Sequence, residues 1–275
     1  MKRILTLLLA LTLVLSTALS FAACGSGSDW AAIQKKGYFV CGVTVYEPMN
    51  YKDAAGNWTG FDTEFAQAVA AKLGVEVRFQ PIDWPGKYAE LNSGTIDLIW
   101  NGFTLGMETD GKARTEYVDF THAYLENRQC VVTLASKVNE LNTKDAFAGK
   151  KGVAEGGSSG QGVAEELAGD ENLIKTFDSQ AMALAEVVAG NADFAVIDWQ
   201  MANAMVGKES YATLAVNNAY LPESEVYAIG CRKGSDLTAK INQAIEELSA
   251  DGTLAALAEK YRLTNDLIEN IGAEE

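Results

Sequence analysis

The sequence predicts an α/β protein with two lobes, each a mostly parallel sheet flanked by helices. Short apolar runs rich in β-branched residues alternate with segments whose apolar residues have helical spacing, and this alternation starts afresh in the second half. The chain of 275 residues is long enough for one or two domains. Its apolar content of 48% and charged content of 21% are typical of a globular protein rather than a disordered one.

The first half begins with a helix and then alternates strands with helices. Gly37, Gly74 and Gly94 are predicted to end the helices, because glycine readily adopts the left-handed conformation of a C-cap. Asp62 is predicted to cap the second helix. The predicted segments are a helix at 30–37, a strand at 38–45, a helix at 62–74, a strand at 75–79, a helix at 87–93 and a strand at 95–100. This order indicates a parallel sheet.

The second half repeats the alternation and includes a glycine- and serine-rich turn at 156–160. The predicted strands lie at 128–135, 151–155, 173–177, 194–197 and 226–232. One predicted helix follows the turn and ends at Leu167, and another spans 179–189. Two more are predicted at 237–248 and 254–261, near the C-terminus. Two successive sets of alternating strands and helices, similar in size, predict two lobes.

The charge balance excludes several classes of partner. The chain carries 22 Lys and Arg against 37 Asp and Glu, a formal net charge of −15. Nucleic acids and anionic lipid surfaces need a basic footprint, so neither is expected as a partner. His122 is the single histidine, which excludes a metal site with two histidine ligands and argues against a histidine-based triad. We expect no metal and no cofactor.

The N-terminus has the pattern of an export signal. A basic start at 1–3 precedes an almost wholly apolar stretch at 4–19, the small residues at 22–23, and Cys24. The apolar stretch is shorter than the ~20 residues of a membrane span. With its cysteine the segment resembles a bacterial lipoprotein signal, although Phe21 stands where that pattern prefers leucine. The resemblance implies removal of 1–23 and palmitate on Cys24, followed by a flexible tether at 24–29.

This signal predicts the location of the protein. We expect an exported protein held by its lipid alone on the outer face of the cell membrane, in the periplasm if the cell has an outer membrane. The alternative is ordinary cleavage that leaves Cys24 as a free thiol. Of the other cysteines, Cys41, Cys130 and Cys231, at least one must be unpaired because their number is odd. Buried thiols are favoured, and a disulfide between Cys130 and Cys231 stays open.

Few residues outside the apolar segments suggest chemistry. The turn at 156–160 lies between a strand and a helix, where exposed amide groups can bind an anion. The alternative is a plain helix cap made by Ser158 or Ser159, and the turn lacks the lysine of a nucleotide-binding loop. Asp198 ends a buried strand, at an edge where ligands collect in α/β sheets, although such a residue often only caps the next helix. Arg114 alone would be read as a surface charge.

A series of strings between residues 30 and 261 resembles one family in the family's own order. They are GVTVYEPMNYKDAAGNWTGFDTEFAQAVAAKLG, DWPGKYAELNSGTIDLIWNGFTL, YVDFTHAYLENRQCVV, KGVAEGGSSG, GNADFAVID and SADGTLAALAEKY. The chain thus resembles the polar amino-acid-binding lipoproteins of bacterial ABC importers, the family 3 extracellular solute-binding proteins of type II periplasmic-binding fold. The resemblance implies a monomer with lobe 1 at 30–127 plus 228–275, lobe 2 at 128–227, and two hinge crossings.

The resemblance implies ligand contacts in the first lobe. The family's aromatic residue that stacks on the ligand side chain matches Tyr46, and its aromatic or apolar residue before the next helix matches Trp84. The NGFT segment implies that Asn101, Gly102 and Thr104 supply backbone carbonyls and a hydroxyl to the ligand ammonium.

The resemblance also implies two charged residues that bind the backbone groups of the ligand. Arg114 would pair with the carboxylate, together with Ser158 and Ser159 of the glycine-rich turn, and Asp198 would accept from the ammonium. The segment LGMETDGKAR before Arg114 is several residues longer than the family pattern, so its position could differ. His122 replaces the family's usual aspartate and has no assigned role.

The function implied is capture of a free polar or basic amino acid between the lobes and its delivery to an ABC permease with its ATPase. The aromatic residues suit glutamine, arginine or cystine, and the sequence leaves this choice open. One alternative is a periplasmic enzyme like cyclohexadienyl dehydratase on the same fold, with Glu47 or Glu155 as its acid. The other is a sensory amino-acid-binding subunit, which would need a separate signalling partner. We expect a binding protein rather than an enzyme.

Overall fold

The computed structural model describes residues 28–109, 111–269 and 271–272. The predicted signal at 1–23 and the predicted lipidation site Cys24 lie outside the described residues, as does most of the tether at 24–29. In the part of the chain that is described, no helix has both the length and the apolar character needed to span a membrane.

Helices flank two separate sheets. The α-helices of the described chain are α1 (Asp29–Lys36), α2 (Phe61–Leu73), α3 (Lys87–Ser93), α4 (Arg114–Tyr117), α5 (Ser159–Ala168), α6 (Gln180–Val188), α7 (Trp199–Met205), α8 (Leu237–Ala250) and α9 (Thr253–Tyr261). As predicted, Gly37, Gly74 and Gly94 end α1, α2 and α3 in the left-handed conformation.

The strands are short, apart from one that is ten residues long. They are β1 (Tyr38–Val43), β2 (Tyr51–Lys52), β3 (Trp58–Thr59), β4 (Glu76–Pro81), β5 (Leu98–Ile99), β6 (Thr104–Leu105), β7 (Glu108–Thr109), β8 (Lys112–Ala113), β9 (Val118–Phe120), β10 (Leu125–Leu134), β11 (Gly152–Glu155), β12 (Ile174–Phe177), β13 (Phe194–Asp198), β14 (Leu214–Asn217), β15 (Ser224–Tyr227) and β16 (Gly230–Arg232).

The first sheet has the strand order β4-β1-β5-β16-β9. β1 runs parallel to both β4 and β5, as the strand–helix alternation predicts. β16 runs antiparallel to β5 and to β9, because it arrives from the second sheet rather than through a crossover helix. Phe39 of β1, Phe65 and Val69 of α2, and Ile241 and Ile245 of α8 contribute to the core against this sheet.

The second sheet has the strand order β12-β11-β13-β10-β15-β6, and β14 also pairs with β10. β11 runs parallel to β12 and β13, whereas β10 runs antiparallel to β13, β14 and β15. Phe147, Ala164 and Phe194 belong to its buried core. Both sheets therefore have a parallel part, made by the predicted βα units, and an antiparallel part that the alternation does not reveal.

Two predicted details are wrong. Asp62 does not cap α2: Gly60 is the N-cap, and Asp62 is a buried residue inside the first turn. The strand predicted at 226–232 is two strands, because β15 belongs to the second sheet and β16 to the first. Ala228 and Ile229 carry the chain between them, and a continuous apolar run does not show such a crossing.

The cysteines agree with the buried-thiol interpretation. Cys41, Cys130 and Cys231 are free and buried. Cys130 lies in β10 of the second sheet and Cys231 in β16 of the first, and the structure forms no disulfide between them.

Candidate ligand-binding site

A cavity lies where segments of both sheets end. Its wall is formed by Trp84, Asn101, Gly102, Thr104, Arg114, Glu155, Ser158, Ser159, Gln180 and Asp198. Glu155 and Asp198 are the last residues of β11 and β13, and Trp84 and Asn101 follow β4 and β5. The carboxyl ends of strands are where ligands bind in α/β sheets. The structure thus brings together the predicted ligand-contacting residues, with the exception of Tyr46.

Arg114 reaches the cavity although the segment before it is longer than the family pattern. β7 and β8 pair as a small hairpin, and the backbone N–H of Arg114 donates to the carbonyl oxygen of Met107 at 2.8 Å. The segment between Met107 and Arg114 therefore leaves and returns at one place. Arg114 then begins α4, with its side chain only 2% exposed.

Carbonyl oxygens and an aromatic ring hold the Arg114 guanidinium in place. Nη1 donates to the carbonyl oxygen of Thr104 at 3.1 Å, and Nη2 donates to that of Gly157 at 3.4 Å. The guanidinium carbon lies 4.9 Å from the centre of the Phe103 ring. Burial lowers the pKa of Arg114, while neighbouring acidic groups, including Glu225 and Asp198, raise it. The planar guanidinium can grip a carboxylate through two parallel hydrogen bonds.

Asp198 is held by three amide side chains rather than used as a helix cap. Its Oδ1 accepts from Asn127 Nδ2 and Gln129 Nε2, both at 2.7 Å, and its Oδ2 accepts from Gln180 Nε2. The side chain makes no capping bond to α7 and is 7% exposed. Burial raises the pKa of Asp198, and the amide hydrogen bonds oppose this rise. These contacts orient the carboxyl at the cavity wall.

Glu225 lies behind the wall and shares the same amides. Its Oε1 accepts from Asn127 Nδ2 at 2.5 Å, Gln129 Nε2 at 2.8 Å and Thr104 Oγ1 at 3.0 Å. Burial and the charge of Asp198 raise the pKa of Glu225. The Thr104 hydroxyl thus donates to Glu225 and keeps its lone pairs as acceptors, while the Thr104 carbonyl oxygen accepts from Arg114.

The two serines of the glycine-rich turn differ. Ser158 is the N-cap of α5: its Oγ accepts from the backbone N–H of Gln161 at 3.2 Å and donates to the carbonyl oxygen of Glu155 at 2.8 Å. Ser159 Oγ is buried and has no hydrogen-bond partner among the described residues. The capped-turn interpretation thus holds for Ser158, and the Ser159 hydroxyl is the one that can bond to a ligand.

The backbone at Asn101 and Gly102 is fixed from behind. Asn101 Oδ1 accepts from the backbone N–H of Thr44 at 2.9 Å, and Asp62 Oδ2 accepts from the N–H of Gly102 at 2.7 Å. Gly102 has φ of 58°, and a Cβ there would lie 2.6 Å from Tyr46 Cε1. Only glycine fits this conformation and this contact. The side chain of Asn101 therefore holds in place the loop that lines the cavity.

The two predicted aromatic contacts take different positions. Trp84 lines the cavity, in a 3₁₀ turn over Trp84–Gly86, and its ring meets Phe103 edge to face at 5.5 Å between ring centres. Tyr46 is 2% exposed and is not part of the cavity wall. Its hydroxyl forms a 2.6 Å hydrogen bond with that of Tyr227. Tyr46 thus supports Gly102 from behind.

Sequence reasoning missed the role of Gln180 and considered Glu155 only as an acid for an enzyme. Glu155 ends a strand just before a glycine-rich turn, which is the same signal that identified Asp198. Gln180 follows the helix-capping Ser179, and nothing in the local sequence relates it to Asp198. Within the described residues, no group of His, Cys, Asp and Glu side chains could hold a metal ion. His122 lies outside this site, with Nε2 3.0 Å from Glu246 Oε1.

Comparison with known proteins finds relatives along most of the chain. The family model described as bacterial extracellular solute-binding proteins, family 3, matches residues 39–264. The L-cystine-binding protein TcyJ of Escherichia coli (strain K12) is 32% identical over 234 residues, which cover 83% of this chain and 84% of that protein.

Solved structures of similar chains have the same fold. An ABC uptake transporter substrate-binding protein from Streptococcus pneumoniae with bound histidine has a TM-score of 0.77 and 33% identity, covering 86% of this chain and 97% of its own. An ancestral amino acid-binding protein, a precursor of cyclohexadienyl dehydratase, has a TM-score of 0.75 and 29% identity, covering 85% and 99%. The predicted α/β fold of type II periplasmic-binding proteins is confirmed.

Proposed function

The chain belongs to the bacterial extracellular solute-binding proteins, family 3, and has a solute-binding role, and from this premise we propose how it binds its solute. It captures one free amino acid in the cavity between the two sheets. Arg114 and Ser159 bind the ligand carboxylate, and Asp198 with the backbone near Thr104 binds the ligand ammonium. The relatives named above bind cystine or histidine, which supports an amino acid as the ligand.

One observation carries this proposal: a buried arginine and a buried aspartate line the same cavity from different parts of the fold. α4, which begins with Arg114, leads into β9 of the first sheet, whereas Asp198 ends β13 of the second. A free amino acid presents the complementary pair of charges on its backbone. A peptide bond would remove one of these charges, so the pair selects free amino acids over peptides.

The hydrogen bonds of the proposed site have the size that capture at micromolar concentration requires. A hydrogen bond to a charged group contributes about 1.5–3 kcal/mol, and micromolar affinity requires about 8 kcal/mol. Four or five such bonds contribute about 6–15 kcal/mol, packing against Trp84 adds to this sum, and the entropy of association is subtracted from it. Because the ligand bonds to both sheets, binding stabilises the arrangement in which they lie close together.

Calorimetry on the chain from residue 24 onward tests the assignment, after a thermal-shift screen of the twenty amino acids, cystine and ornithine. We expect one ligand per chain. Arg114→Ala and Asp198→Asn should each weaken binding by about 30-fold or more, because each leaves a ligand charge buried without its partner. Arg78→Ala, which removes an exposed arginine of β4, is the control and should bind normally. Unchanged affinity in both cavity variants would refute the proposed roles of Arg114 and Asp198 in binding the ligand carboxylate and ammonium.

The division into lobes follows from the same proposal. Lobe 1 comprises 30–127 and 228–275, and lobe 2 comprises 128–227, with β10 and β15 as the crossings. This boundary divides β10 after Asn127, and β6 pairs with the second sheet although its residues fall in lobe 1. The closed protein, acting as a monomer, would deliver its amino acid to an ABC permease and its ATPase.

We place this protein outside the cytoplasm, in keeping with its extracellular family. Lipidation of Cys24 would keep it near the permease on the outer face of the membrane. Radioactive palmitate should label the wild-type protein and not a Cys24→Ser variant. Equal labelling of the two proteins would rule out this anchor.

An enzyme is the second candidate, and a specific feature favours it. Glu155 is a carboxyl in the cavity wall whose pKa is raised, as a general acid requires, and one similar structure is a precursor of a dehydratase. Turnover of prephenate or arogenate by the purified chain would establish this activity. The named relatives are binding proteins, so binding without turnover is the expected result.

A further inference from the structure

Glu155 is a carboxyl in the cavity wall that the ligand backbone does not require. The proposed function assigns the ligand carboxylate to Arg114 and the ammonium to Asp198. Glu155 is 4% exposed, lines the same cavity, and its Oε1 is buried without a hydrogen-bond partner among the described residues. A buried acceptor without a donor is costly, so this oxygen is suited to a donor on the ligand side chain.

The net charge around the cavity depends on whether Glu155 is ionised. Within the described chain, Arg114 and Lys87 supply positive charge, and Glu155, Asp198 and Glu225 supply negative charge. Lys87 Nζ donates to the carbonyl oxygens of Trp84 and Gly157, at 3.1 and 3.3 Å. When Glu155 is protonated these groups balance, and when Glu155 is ionised one negative charge remains. A ligand with one net positive charge would neutralise it.

We propose that the ligand is an L-amino acid whose side chain carries one positive charge, and that Glu155 is the residue that selects it. The guanidinium of arginine, or the ammonium of lysine or ornithine, donates a charge-assisted hydrogen bond to Glu155 Oε1. Glutamine and cystine carry no net charge and would leave the carboxyl without an ionic partner. This inference rests on the proposed function, since it presupposes that an amino acid occupies the cavity.

The protonation of Glu155 supports the same conclusion. Burial, and then the charge of Asp198, raises the pKa of Glu155 to about 8, while the charge of Lys87 opposes this rise. Thr44 and Gln180 oppose it through hydrogen bonding. At neutral pH the free protein therefore holds a proton on Glu155. A cationic side chain favours the ionised form, so its binding should release that proton.

Arginine and citrulline provide the matched pair of ligands, since citrulline replaces the guanidinium by a neutral group of nearly the same shape. Calorimetry on the chain from residue 24 onward should show that wild type binds arginine at least about tenfold more tightly than citrulline. Glu155→Gln should weaken arginine binding at least about tenfold and change citrulline binding by less than about threefold. Glu171→Gln removes an exposed carboxylate and should alter neither affinity.

The possible outcomes separate this inference from the proposed function. If arginine, lysine and ornithine all bind more weakly than glutamine or cystine, or if Glu155→Gln leaves the arginine-to-citrulline ratio unchanged, the role of Glu155 is refuted while amino-acid binding stands. If no amino acid binds to wild type, the proposed function itself fails.

A measurement on wild type covers the case in which Glu155→Gln does not fold. The enthalpy of arginine binding at pH 7 is measured in phosphate and in Tris, whose ionisation enthalpies differ. Release of close to one proton per ligand makes the two enthalpies differ accordingly. Citrulline should release none. Equal proton release by both ligands, or by neither, would overturn the proposal.

Discussion

Buried carboxyl groups dominate the residue chemistry of this molecule. Asp62, Glu155, Asp198 and Glu225 are largely removed from water, and burial is the largest cause of the raised pKa of each. Only some of them face the cavity. Asp62 instead accepts from the N–H of Gly102 and from the Tyr124 hydroxyl, so its carboxyl maintains the shape of the loop.

The stability of the protein should therefore fall as pH rises from 5 to 8. The pKa is about 7 for Asp62 and about 8 for Glu155 in the folded state, above the unfolded values near 4. In this range the folded state binds more protons than the unfolded state, so each rise in pH favours unfolding. Urea unfolding at pH 5 and pH 8 measures the effect.

An Asp62→Asn variant isolates one contribution to this pH dependence. Asparagine resembles the protonated carboxyl in shape, so the loss of free energy of unfolding between pH 5 and 8 should shrink by about 2 kcal/mol. Glu171→Gln is the matched control and should keep the wild-type pH dependence. A pH dependence as steep in Asp62→Asn as in wild type would contradict this explanation.

The positions of some candidate site residues could be predicted from the sequence, and those of others could not. Trp84, Arg114, Ser159 and Asp198 lie in recognisable strings, and the structure places all of them in the cavity wall. Tyr46 lies in an equally good string but packs behind Gly102, because a string reveals where a residue lies along a strand and not how its side chain turns.

At the level of secondary structure, the hairpin of β7 and β8 shows how a longer segment can leave a site unchanged. The carbonyl oxygen of Met107 accepts from the N–H of Arg114, so the hairpin starts and ends at one place. The helices that end at Gly37 and Gly94 agree with their predicted ranges because local sequence determines them, whereas α4 and α7 were not predicted. The separation of β15 from β16 was not predicted either, since strand pairing depends on residues distant in the sequence.

Shortening this hairpin should leave ligand binding intact. Replacing 108–113 by Asn-Gly would join Met107 to Arg114 through a two-residue β-turn, in which the same carbonyl-to-amide hydrogen bond closes the turn. The affinity for the amino acid that binds most tightly in the screen should stay within about threefold of wild type. A large loss of affinity in calorimetry, from a variant that unfolds normally, would indicate that the hairpin itself positions Arg114.

At the scale of the whole molecule, hydrogen bonds join segments that belong to the two sheets. Lys87 and Arg114 both donate to the carbonyl oxygen of Gly157, and the hydroxyl groups of Tyr46 and Tyr227 are bonded to each other. A ligand that bonds to Arg114 and Asp198 adds to these contacts. Ligand binding is therefore expected to favour the compact arrangement.

Small-angle X-ray scattering can measure this compaction. The radius of gyration should decrease when the tightest-binding amino acid is added at saturating concentration. The radius of gyration of Asp198→Asn should not decrease at the same concentration, because its affinity is reduced and the bond between Asp198 and the ligand ammonium is missing. An unchanged radius in wild type, with binding verified by calorimetry, would exclude a closing motion.

The ladder between β10 and β15 sets a mechanical condition on that motion. These crossing strands are hydrogen-bonded side by side, from Leu125 opposite Tyr227 to Arg128 opposite Ser224. Bending these strands out of the plane of the sheet keeps the ladder intact, whereas sliding one strand along the other would break it; β6, which pairs with β15 at Val226 and Tyr227, would bend with them. In the proposed closing motion the flexural stiffness of these strands would govern how far the molecule opens. A substitution on their exposed side, as at Glu126, is therefore expected to change affinity without altering any residue that touches the amino acid.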